Sequence, residues 1–158
     1  MRDVGQQRIL LLMTTVPLDD YQNELCAGGQ SYFFLACVRE LGFLVTDHGY
    51  TMNFIQGNRT EVAVSFKEDI LTEYFEVRVS CDDWDLPWCD VRRVAGLRCN
   101  IMMRLHDACD LVGLPYQEDS IPDGMLHELA TQKRIHDYAT YIRLGLPVLR
   151  NIPLPTPN

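Results

Sequence analysis

Residues 50–66 read YTMNFIQGNRTEVAVSF, and their reading decides the fold. Tyr50, Met52 and Phe54 alternate with polar neighbours, Gln56-Gly57-Asn58-Arg59 supplies turn chemistry, and Val62, Val64 and Phe66 alternate again. A period of two puts one set of side chains on one face of a pleated strand, so the stretch predicts a β-hairpin. A second turn around Lys67-Glu68-Asp69 leads to Phe75, Val77 and Val79, which extends the hairpin to a three-stranded meander. The other set includes Glu61, Ala63, Ser65, Glu76, Arg78 and Ser80. It predicts a wet, acidic second face. Asn58-Arg59-Thr60 has the spacing of a glycosylation sequon and reads here as a hairpin turn.

Upstream, SYFFLACVRELGF (residues 31–43) predicts a helix, because Phe34, Leu35, Val38 and Leu41 recur at helical spacing. Gly42 fits a left-handed position after the last turn, with Phe43 folding back on it. Asp47-His48-Gly49 reads as a turn before the first strand. Downstream, CDDWDLPWC (residues 81–89) interrupts regular structure, and Arg98 to Val112 reads as a helix ended by Gly113 and Pro115. Ser120-Ile121-Pro122-Asp123 resembles a capping box opening a long helix with Met125, Leu129, Tyr138 and Ile142 on its apolar stripe. Gly145 and Pro147 are expected to stop that helix.

The resulting order, α-β-β-β-α-α, predicts an α+β fold: a small antiparallel β-meander sheet with helices packed on one face. One globular domain is expected over 1–158, with 1–30 as a lead-in and 151–158 as an extended tail. The run Ile9–Met13 follows Arg2 and Arg8 but stops near Pro17 and Asp19-Asp20 without a small-residue cleavage site. It reads as a short strand or a lead-in, with Met13 an alternative start. No stretch reaches transmembrane length.

The net charge of −8 is concentrated in the middle of the chain. From Thr60 to Asp90, nine carboxylates stand against Lys67 and Arg78. Such a surplus disfavours direct nucleic-acid binding and favours a basic protein partner. The six cysteines include no Cys-x-x-Cys pair, and several fall at apolar positions of helix-like patterns. They predict reduced core residues of a cytoplasmic protein.

CDDWDLPWC admits several chemistries. The seven residues between Cys81 and Cys89 exceed the usual zinc-ligand spacing of about two to four, and a disulfide between them suits a reducing compartment poorly. No metal or cofactor is therefore expected. His106-Asp107 and His136-Asp137, with His127 between them, suggest a small HD-like metal-dependent hydrolase as the alternative. Adjacent helical residues point about 100° apart, so each dipeptide is weak evidence for such a site. No serine-nucleophile, P-loop or dinucleotide motif occurs. Trp84 and Trp88 are the only tryptophans, and both lie among aspartates around Pro87. Aromatic anchors among charges suit a binding surface. The candidate partner-binding residues are Glu61, Glu76, Asp82, Asp83, Trp84, Asp85, Trp88 and Asp90.

With SYFFLACVRELGF, YTMNFIQGNRTEVAVSF, YFEVRVS and the late HDYATYIRLG, the chain resembles small bacterial immunity proteins of polymorphic or contact-dependent toxin systems. The resemblance spans roughly residues 31 to 80 and 125 to 150, and the segment Cys81 to Arg93 departs from it. It implies a non-catalytic inhibitor of a cognate basic toxin or nuclease domain. The predicted interface is the acidic sheet face with the Trp84–Trp88 loop. A phage or accessory adaptor would share the same binding physics.

Overall fold

A computed structural model describes residues 31–56, 61–82, 85–96 and 99–155. Four helices and five strands occur among them: α1 Ser31–Leu41, α2 Phe43–Thr46, β1 Thr51–Gln56, β2 Val62–Lys67, β3 Glu73–Cys81, β4 Trp88–Ala95, β5 Cys99–Arg104, α3 Leu105–Val112 and α4 His127–Leu149. The strands form one antiparallel sheet in sequence order, β1-β2-β3-β4-β5. The α+β class and the meander with helices before and after it are as expected.

The register shows why alternation was a sound guide. Met52, Phe66, Val77, Val91 and Met103 lie opposite one another across all five strands, and Phe54, Val64, Val79 and Cys89 form the next row. These rows meet Phe33, Cys37 and Leu41 of α1, Ala108 and Cys109 of α3, and Ile135, Ile142 and Leu149 of α4 in one apolar core. Burial of that continuous surface on one side of the sheet is the dominant stabilising term.

Several local expectations are corrected. The meander continues for two further strands, Trp88–Ala95 and Cys99–Arg104, so the helix expected over 98–112 is not one helix. Cys99–Arg104 pairs with β4, turning Ile101 and Met103 inward, and α3 starts at Leu105. Ile101 and Leu105 satisfy both a helical and a two-residue period, and cross-strand pairing decides between them. CDDWDLPWC likewise ends one strand and begins the next.

Gly42 is right-handed (φ −57°), because Phe43, Leu44 and Val45 are all buried and the chain keeps turning through α2 to bury them. In this segment the left-handed position falls on Gly49 instead, in the expected turn before β1. Ser120–Asp123 caps nothing, and α4 begins at His127 after Leu126. Gly145 and Pro147 do not stop that helix, which runs to Leu149. Proline at 147 lacks the N–H that would bond the Arg143 carbonyl, a loss confined to the last turn. Gly145 lets Leu114 close in, since a Cβ there would lie 2.3 Å from Leu114 Cδ1. Beyond α4, Ile152 is buried and its carbonyl accepts from Arg93 Nη1.

The sheet's second face is not the wet, acidic surface the alternation predicts. Ala63, Ser65, Glu76 and Ser80 are each no more than 5% exposed. Strand residues sharing this face include four cations, Lys67, Arg78, Arg92 and Arg104, against Glu76 and Asp90. A carboxylate of such low exposure needs a cationic partner, because an unpaired one is costly to desolvate. Glu76 meets Arg78 Nη2 at 3.1 Å.

Candidate aromatic and acidic binding end

The antiparallel order brings the C-terminal ends of β1, β3 and β5 together with the starts of β2 and β4. Glu61 immediately precedes Val62, and Val62 lies opposite Cys81, so Glu61 and Asp82 emerge at the same end. There the Asp82 carboxylate accepts the Asp85 N–H at 2.7 Å, bending the loop that leads to Trp88. His127, at the start of α4, lies 3.4 Å from the Asp85 carbonyl, and its other ring nitrogen is 2.6 Å from the Tyr32 hydroxyl. Farther along α4, the Tyr138 hydroxyl donates to the Pro87 carbonyl at 2.8 Å.

Beside this loop is a pocket of about 430 Å³, within the range of small-ligand sites. Trp88, Arg104, His106, Tyr116, Glu118 and Tyr138 line it. The Arg104 guanidinium stacks 5.4 Å from the Trp88 ring centre and lies 3.4 Å from Asp90. The Tyr116 hydroxyl donates to Glu118 at 3.0 Å, and Arg134 closes on the other oxygen of that carboxylate. The His106 ring meets Tyr116 edge-on and reaches Asp107 at 3.2 Å and Asp110 at 3.4 Å. Desolvation, then the Glu118 charge, raises the Tyr116 phenol, and desolvation also raises that of Tyr138. Both rings therefore stay neutral, with apolar faces.

Of the eight sequence-predicted residues, Glu61, Asp82, Asp85 and Trp88 lie at this end, while Asp83 and Trp84 lie outside the described residues. Asp90 lies on the sheet face two residues along β4, where burial raises its carboxyl against the opposing pull of Arg104, Arg78 and a hydrogen bond from Trp88. Glu76 sits mid-sheet, bound to Arg78. These last two are paired with arginines of the same sheet. Sequence reasoning missed Arg104, His106, Tyr116, Glu118 and Tyr138 as one group, because they come from three separate segments with no shared motif. The paired tyrosines of the late helix were the one visible hint.

The alternative hydrolytic set is dispersed. His136 pairs with Glu40 of α1 at 3.0 Å, His127 faces Tyr32, and His106 sits between two aspartates of its own helix. Asp137 is buried, its carboxylate accepting the Asp119 N–H. Among the described residues no three His, Cys, Asp or Glu side chains are grouped to hold a metal ion. Cys81 and Cys89 do not form a disulfide. Cys89 lies opposite Val79, so Cys81 is diagonal to it, a poor cross-strand geometry for bridging.

No helix among the described residues is long and apolar enough to cross a membrane. Comparison of the chain with protein-family models, curated proteins and solved structures found no match in any of the three.

Proposed function

We propose that this protein is a cytoplasmic, non-catalytic inhibitor of immunity type, which neutralises a basic bacterial toxin such as a nuclease domain. The observation that carries this reading is the convergence of Glu61, Asp82 and Asp85 with the half-buried Trp88 at one end of the sheet. An aromatic anchor beside carboxylates combines a desolvated contact with long-range attraction for a basic surface. The acidic end, rather than the sheet face whose Glu76 and Asp90 are paired with Arg78 and Arg104, is the surface assigned to the partner.

The test is co-expression in a bacterial host with the product of the gene adjacent to the one that encodes this chain. Protection of the host supports the reading. The triple variant Glu61→Lys, Asp82→Lys, Asp85→Lys changes only residues at the loop end. It should lower the association rate by about 10- to 100-fold at low salt and weaken protection. A reversed variant that associates and protects as well as the parent sinks this interface.

A further inference from the structure

We propose that the pocket bounded by Trp88, Tyr116 and Tyr138 is a receptor for an organic cation, the guanidinium or ammonium head of a basic side chain presented by the partner. The source of that cation rests on the immunity-type reading above, whereas the preference for a cation rests on the pocket itself. Four rings, those of Trp88, His106, Tyr116 and Tyr138, contribute to its lining. Aromatic faces carry the negative part of the ring quadrupole and attract cations. Trp88 already stacks against one guanidinium, that of Arg104.

The charges at the rim decide the sign of the ligand. Arg104 is matched by Asp90, Glu118 by Arg134, and Asp119 by Lys133. Asp107 and Asp110 remain on either side of His106, so the local field is negative even when that imidazole is charged. An anion would meet this field and the π faces unfavourably. A neutral side chain would gain from burial alone. The tyrosine hydroxyls are committed to Glu118 and Pro87, so neither is a spare donor for the occupant.

The test titrates the full-length Trp84→Phe variant, whose only indole is Trp88, and follows the indole N–H resonance. N-acetyl-arginine methylamide should bind saturably in the millimolar range. The uncharged N-acetyl-norleucine methylamide and the anion acetate should bind at least about tenfold more weakly. Asp107→Asn with Asp110→Asn, both highly exposed, should weaken arginine binding about threefold without disturbing the fold. Equal binding of the neutral probe, or no response to the arginine probe, overturns the proposal. Binding of tetramethylammonium without the arginine probe overturns the side-chain source in favour of a free quaternary cation. Toxin protection by a chain that binds no cation would overturn this inference and leave the proposed function standing. Cation binding by a chain that protects against no toxin would do the reverse.

Discussion

Tyr138, midway along α4, donates its hydroxyl to the carbonyl of Pro87 at 2.8 Å and so fixes the loop from which Trp88 starts. The two residues are far apart in sequence, and both are buried. This bond ties the core helix to the aromatic end, so a change in the helix interior should be felt at the loop leading into Trp88.

Tyr138→Phe keeps the ring and removes the donor, leaving the Pro87 carbonyl buried without that partner. The expected loss is about 1–2 kcal/mol, read from urea unfolding. The Trp88 indole resonance should shift in the folded variant. An unchanged midpoint and an unchanged indole signal would show that the bond holds neither stability nor loop.

Arg150 grips Glu68 with two hydrogen bonds, of 3.0 and 2.9 Å, clamping the β2–β3 connection onto the end of α4. Glu68 is largely buried and also accepts the Phe75 N–H at 3.2 Å. Arg150→Met should cost about 1–2 kcal/mol, the arginine being half exposed and the pair partly screened. Adding Glu68→Gln should recover part of the loss by removing the stranded charge. A double variant less stable than Arg150→Met would contradict that account.

The thiols give stability an alkaline limit. Burial pushes the Cys37 and Cys89 thiols up and raises that of Cys109 to about 11. A folded pKa above the unfolded one means that the native state holds its proton while the unfolded chain releases it. The associated stability is complete below the reference value of 9.0 and is lost as pH rises through the folded pKa. Urea midpoints should therefore fall above about pH 9. Cys109→Ala should flatten the decline relative to its own value at pH 7. A parallel decline in parent and variant would exclude this thiol as a contributor.

Gly145 faces Leu114 so closely that an added methyl must displace the leucine side chain. In a Leu114→Ala background, Gly145→Ala should stabilise α4 by about 0.5–1 kcal/mol through helix propensity alone. In the parent chain that gain should be offset by the displaced leucine. Thermal or urea unfolding of the four-member cycle reads the coupling, and additive effects would show no contact of consequence.

Much of the fold was legible because alternation is a local signal with a direct structural meaning. Met52, Phe54, Val64, Phe66, Val77 and Val79 face the core as their spacing requires. The misreadings arose where two patterns fit one segment, as at Ile101 to Leu105, or where a local preference was weaker than packing. Pro147 and Gly145 remain helical because Leu146 and Leu149 are buried on either side of that proline. At the candidate site, the aspartates and Trp88 were visible as composition. Their pocket was not, since Arg104, Tyr116 and Tyr138 reach it from a strand, an irregular segment and a helix.

By itself, the order of residues determined the period of each strand, the inward set of side chains, the surplus of negative charge and the placing of tryptophan among aspartates. Only the tertiary structure decided where those charges lie and which of them face an arginine. Cross-strand register sets Glu76 against Arg78 and Asp90 against Arg104, neutralising them where desolvation would otherwise be costly. It brings Glu61, Asp82 and Asp85 to the same end of the sheet as Trp88. Charge is additive along a chain, but its neutralisation depends on distance, and distance is a property of the fold.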